Sequence, residues 1–233
     1  MPQVKFVFSK KEDLFNIWET CRANVYGHNF SSFMPKSVLA YCRKKSYNQC
    51  KKFISDYYAQ IYSSGQIELF VEAANKSWKL IGNEYFRRLN KITGKSLSAR
   101  TIYAYPTLAS RCPYNPKKPS FMVNFFASMP TVMQISGHEI MHFHFHEHYF
   151  ENVRKKVGSE KTRVIKEALT VLLNLEFKDL WFVSDKGYEP HQKLRKVISK
   201  QWKKDKNFDK LVEKCIEFVK RGNKKDVKQI KRK

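Results

Sequence analysis

Residues 129–148 read MPTVMQISGHEIMHFHFHEH, and residues 160–177 read EKTRVIKEALTVLLNLEF. Pro130 suits a first helical turn, where its missing N–H leaves nothing unsatisfied. The pattern then predicts one helix running through the histidines to about residue 156, with Gly158 behind it. Uncharged residues (Ile135, Ser136, Gly137, Ile140, Met141, Phe143) surround the first histidines, so this helix is expected to be partly dry. The second stretch predicts another helix, with Ser159 as its cap.

Outward from this pair, residues 100–105 and 120–128 read as strands, separated by the turn-rich RCPYNPKKPS. Upstream, the spacing of Leu69, Phe70, Ala73, Leu80, Ile81, Tyr85, Phe86 and Leu89 predicts an amphipathic helix over 66–91, with Gly94 as its stop. Residues 3–8 alternate like a short strand. Ser9 and Glu12 form a capping-box pair that should open a helix through Trp18. Residues 27–35 read as a loop, and a helical region follows from about Ser37 to Ile61, broken by Ser63-Ser64-Gly65. Beyond DKGYEPH (185–191) lies a very basic helical part, and GNKKDVKQIKRK (222–233) reads as a frayed tail. The expectation is an α+β fold, mostly helical, with a small mixed sheet before the histidine helix. Its parts would be an extension over 1–64, a core over 65–192 and a basic end over 193–233.

The chain of 233 residues is 42% hydrophobic and 15% aromatic, enough to build a packed interior. It contains no apolar run long enough for a membrane span or a secretory signal. Its five cysteines are odd in number and lack CxxC spacing, which predicts reduced thiols and a cytoplasmic setting. The formal charge of +24 allows attraction to nucleic acid or other anionic partners, though basic residues spread over many segments also make an ordinary solvated surface.

Within the histidine helix, His138 and His142 stand four residues apart. That puts them about 40° apart around the axis and about 6 Å along it, so both rings can grip one metal ion from the same face. Glu139 lies beside them, placed to take a proton from a water. Zinc suits nitrogen and oxygen donors and polarises a carbonyl without redox chemistry.

Five of the seven histidines fall between 138 and 148, so three ligand sets compete. His148 as third ligand requires the helix to break at Phe145, a poor residue for positive φ, and an unbroken helix carries His148 about 15 Å from His138. The inverted string His144 to His148 requires a distant glutamate, Glu213 or Glu217. Glu167, an acid inside an apolar run, completes a His2Glu set after one turn back, and a solvent-facing Glu167 is the plain alternative. Glu167 is the preferred third ligand, and His144, His146 and His148 are then expected to support or decorate the helix.

HEIMH followed by KEALT resembles the zincin metallopeptidases, in the gluzincin branch with HExxH and a downstream Glu. Small soluble gluzincins and regulator-cleaving metallopeptidases of the ImmA/IrrE type are the nearest comparisons, over about 66–177. The resemblance implies a zincin-like fold and a hydrolase acting on peptides or proteins, with Zn2+ on His138, His142 and Glu167 and with Glu139 as general base. It also implies an oxyanion donor, for which Tyr188 and His191 are the candidates. The strand before the active helix (121–128, with Asn124 and Ala127) would be a sheet edge for an extended peptide. The acid that thermolysin-like members carry four residues after the ligand Glu is here Val171, and the Glu-Ala-Asn of the other group is Glu167-Ala168-Leu169. Two further expectations compete: a nucleic-acid-binding protein on such a scaffold, and a latent protease covered by residues 1–64 or by the basic tail.

Overall fold

In the computed structural model, which describes residues 1–25 and 28–221, the mostly helical α+β architecture expected from the pattern is present. The chain runs β1 (Gln3–Phe6), α1 (Lys10–Thr20), β2 (Asn24–Val25), β3 (His28–Asn29), α2 (Lys36–Cys42), α3 (Tyr47–Tyr57), α4 (Ala59–Ser63) and α5 (Gln66–Thr93). It continues through β4 (Thr101–Thr107), β5 (Tyr114–Asn115), β6 (Ser120–Asn124), α6 (Met129–His148) and α7 (Phe150–Leu169). The last helices are α8 (Leu172–Glu176), α9 (Lys178–Trp181), α10 (Gln192–Lys204) and α11 (Phe208–Arg221). The expected tail at 222–233 and the start of the expected loop at 27 lie outside the described residues.

Two compact units are built from interleaved segments. One takes in Gln3–Leu80 and Thr101–Val132; the other takes in Met1–Pro2, Ile81–Arg100 and the chain from Met133 onward. The first holds the four-stranded mixed sheet, in the order β1-β4-β6-β5. β1, β4 and β6 are parallel, and β5 runs antiparallel on β6. Ser9 caps α1 as its spacing predicts, its Oγ accepting the Glu12 N–H at 3.4 Å. Asn75 on α5 bonds both the N–H and the C=O of Phe6, at 3.0 and 2.8 Å, which ties the first strand down. A core of Ile17, Val38, Ile54, Leu108 and the thiols of Cys21, Cys42 and Cys50 fills this unit. Burial and the neighbouring Cys50 push the Cys42 thiol up to about 12, so it packs as a small apolar group. None of the five cysteines forms a disulfide among the described residues.

The helical region after Ser37 resolves into three short helices, and the long helix after Gly65 ends at its expected stop, where Gly94 takes a positive φ of 68°. Other boundaries are corrected. The sheet strand stops at Asn124, whose side-chain oxygen accepts the Phe126 N–H at 2.7 Å and turns the chain before 128. β6 is not a free edge either. β5 pairs with it at Ser120 and Phe121, and the Met122 N–H is taken by Pro113 O at 2.9 Å, because the proline-rich turn folds back on the strand. Asn124 Nδ2 is itself engaged, donating to Ala109 O at 3.1 Å.

In the second unit, α6 ends at His148 rather than running to 156. The backbone bends at Tyr149 (φ −131°), whose hydroxyl donates to Asp209 at 2.8 Å and whose ring carries Lys95 Nζ at 4.0 Å. α7 follows and leaves helical geometry once, at Gly158 (φ 80°), so the glutamate-bearing helix is its second half. That helix stops at Leu169, not 177, and two short helices, α8 and α9, replace the remainder. The described part of the basic end is helical, as expected. Phe208, Leu211, Val212, Cys215, Ile216 and Val219 form a buried stripe along α11, which packs on α7 and α10. Among the described residues no helix is long and apolar enough to cross a membrane.

Candidate metal centre

α6 can carry a glycine in mid-helix because two large rings need the space. A Cβ on Gly137 would stand 2.6 Å from Trp181 Cη2 and 3.1 Å from Tyr85 Cε2. Tyr85 OH also donates to Gly137 O at 2.6 Å. Trp181 and Tyr85 thereby clamp the turn that begins the histidine string. The next residues, His138 and His142, present imidazoles with centroids 4.4 Å apart.

The second half of α7 brings Glu167 to the same point. Its Oε2 lies 3.6 Å from His138 Nε2 and 3.3 Å from His142 Nε2. Among the described residues these three form the one group of His, Cys, Asp or Glu whose ligand atoms all lie within 4.8 Å of one another. The distances fit an ion. Ligands at about 2.0–2.1 Å in a tetrahedron stand roughly 3.3–3.4 Å apart.

Asp185, which the sequence reading did not single out, supports the trio. Its Oδ2 accepts from His138 Nδ1 at 2.6 Å, which fixes the tautomer and leaves Nε2 to face Glu167. It is held in turn by Gln134 Nε2 at 3.0 Å and by Arg195 Nη2, 2.9 Å from Oδ1. Its backbone N–H and C=O both bond the Asn174 side chain, at 2.7 and 2.8 Å. This acid comes from a loop eighteen residues beyond Glu167, and its counter-charge comes from Arg195 on α10. Gly187, at φ 62°, lets the Arg195 guanidinium pass within 2.7 Å of where a Cβ would sit.

No known protein family, characterised protein or solved structure matches the chain. What the centre can do must be read from its own electrostatics.

Burial opposes charge on every member, and the neighbours decide which groups keep it. His138 is half-buried, which works against its charged form, yet Asp185 and Glu167 outweigh this and hold its proton up to about 10. Glu167 and Asp185 stay below the usual carboxylate range despite burial, the first through His142, Lys166 and His138, the second through His138 and Arg195. Burial and Lys166 drive His142 down to about 3, leaving a neutral nitrogen donor. The surrounding carboxylates thus favour positive charge beside Glu167, and a cation held by the trio would take the place of the His138 Nε2 proton. Glu139 behaves differently. Burial raises it to about 7, only partly offset by His138 and Lys166, and its Oε2 is buried with no hydrogen-bond partner among the described residues.

The remaining histidines of α6 have partners of their own. His144 Nε2 sits 3.1 Å from Lys95 O and 3.0 Å from Thr93 Oγ1, and His148 Nε2 lies 3.0 Å from Ser96 O, so both pin the chain that leaves α5. His146 stacks on Phe150 at 4.3 Å. The inverted ligand set is not assembled: Glu213 pairs with Lys156 at 2.5 Å and Glu217 with Lys214 at 3.1 Å. Tyr188 is half-buried before α10, its ring 5.7 Å from that of His191. His191 is buried at the start of α10, close enough to feel the charges of Glu167, Arg195 and Lys166.

Proposed function

We propose that the protein is a zinc-dependent peptidase of the gluzincin kind, with a zincin-like catalytic core. The observation that carries this reading is the convergence of His138 Nε2, His142 Nε2 and Glu167 Oε2 beside the unpartnered carboxylate oxygen of Glu139. Two imidazoles and one carboxylate are the donor set that zinc takes when it leaves a position for water. Zinc held there supplies a Lewis acid that acidifies water and polarises a peptide carbonyl.

Glu139 takes the proton of the attacking water as the new C–O bond forms. It then gives that proton to the departing amine as the C–N bond breaks. Burial favours its protonated form, which helps it hold the proton between the two halves of that exchange. Asp185 keeps the outer nitrogen of His138 protonated, and Arg195 keeps Asp185 charged. Tyr188 and His191, whose rings stand 5.7 Å apart, are the candidates for the donor to the developing oxyanion, and His191 is the one that feels the charge of Glu167. The trio opens to solvent chiefly through His138, whose side chain is 17% exposed against 2% for His142 and 9% for Glu167. A substrate carbonyl therefore approaches from the His138 side.

The test is Glu139→Gln. The variant should bind one zinc as the native chain does and lose about 10²–10⁴-fold in peptide hydrolysis. Undiminished hydrolysis would remove Glu139 from the mechanism, and a native protein that binds no zinc would remove the whole reading.

A further inference from the structure

Lys166 is 3% exposed, in a class of side chain that is almost never buried without a partner. Its partner is the adjacent residue: Nζ donates to Glu167 Oε1 at 2.5 Å. Consecutive helical residues point about 100° apart and do not ordinarily face each other. The lysine stem must therefore turn back toward the centre to make this contact. The result divides the Glu167 carboxylate. Oε1 goes to the ammonium, while Oε2 faces both imidazoles at 3.3 and 3.6 Å. The charge of Lys166 is also felt by Glu139, His142, His146 and His191, which places it inside the cluster rather than at its margin.

We propose that Lys166 restricts Glu167 to binding metal through a single oxygen, and so preserves a four-coordinate centre with one position for water. The inference rests on the zinc-site reading. A free carboxylate can chelate through both oxygens, which would enlarge the coordination shell and weaken the centre as a Lewis acid. An ammonium on Oε1 blocks that mode and withdraws electron density from the carboxylate. Lys166 is thus a positioning residue, acting through Glu167.

Cobalt(II) tests this, because its visible d–d bands are intense in four-coordinate tetrahedral sites and much weaker when a fifth ligand joins. The native chain loaded with cobalt should show intense bands. Lys166→Met, which keeps the length of the side chain but not its charge or donor, should bind cobalt with a clear loss of intensity. Lys166→Arg should retain the native spectrum. Should the methionine variant not fold, Lys166→Ala in the presence of added ethylammonium provides the same comparison, with intensity restored by the amine. Native chain that takes up no cobalt would overturn the metal site itself. Native chain with intense bands that Lys166→Met leaves unchanged would overturn the role of Lys166 alone.

Discussion

A carboxylate set against the outer nitrogen of an imidazole fixes the ring's orientation and makes its inner nitrogen a better donor. Asp185 does both for His138 through one bond of 2.6 Å, and it is held by Arg195, Gln134 and Asn174 rather than by residues near it in sequence. Asp185→Asn keeps an acceptor for His138 but removes the charge, and it leaves the buried Arg195 guanidinium without its counter-ion. The expected outcome is a 10–100-fold loss of zinc affinity, measured by competition with a chromogenic chelator. Arg195→Met should produce a smaller loss in the same direction, because Asp185 keeps its bond to His138 but loses its own support. Equal zinc affinity in native and Asp185→Asn proteins would show that the aspartate is only part of the packing.

At the level of elements, α6 is held in place by its glycine as much as by its apolar side chains. A mid-helix Gly costs about 1 kcal/mol relative to Ala, yet here it seats Trp181 and Tyr85 against the backbone. Gly137→Ala should therefore destabilise despite its better helix propensity. An overpacking cost of about 1–3 kcal/mol is expected, lowering Tm by roughly 2–4 °C for each kcal/mol. Zinc affinity should fall with it, since His138 is the next residue, and a thermal melt at unchanged Tm would refute the clamp. The same helix shows what its sequence could disclose. An i, i+4 spacing states which side chains share a face, so His138 and His142 were readable as a pair, and an acid in the apolar run IKEALTVLL singled out Glu167. The Ser9 cap and the Gly94 stop were readable for the same reason, being local. The end of α6 was not, because the bend at Tyr149 depends on contacts with Lys95 and Asp209, far along the chain. Nor could periodicity place Asp185, which sits in a short loop and owes its role to α10, or show that the proline-rich turn would cover β6 with β5. The surplus histidines were set aside as ligands, but the backbone carbonyls that His144 and His148 serve are revealed by no motif.

Over the whole molecule, two physical signals invite different partners: a formal charge of +24 and a convergent His-His-Glu trio that could hold a metal ion. The charge draws anions without regard to the trio. Any binding to RNA or DNA should weaken linearly in log–log terms as salt rises, and should survive chelation unchanged. The trio behaves in the opposite way. An ion there would join α6 to α7 in a geometry that the unfolded chain cannot hold, so zinc bound as proposed would stabilise the native state by RT ln(1 + [Zn]/Kd). At 100 times Kd this amounts to about 2.7 kcal/mol. Stripping metal with a chelator should therefore lower Tm by several degrees, re-addition of zinc should restore it, and moderate salt should leave the increment in place because the ligands are buried. Glu167→Gln should abolish most of that increment while leaving the salt-dependent attraction for nucleic acid intact. A melt that is indifferent to both chelator and zinc, in a chain that still binds nucleic acid, would favour the charge over the trio as the basis of function.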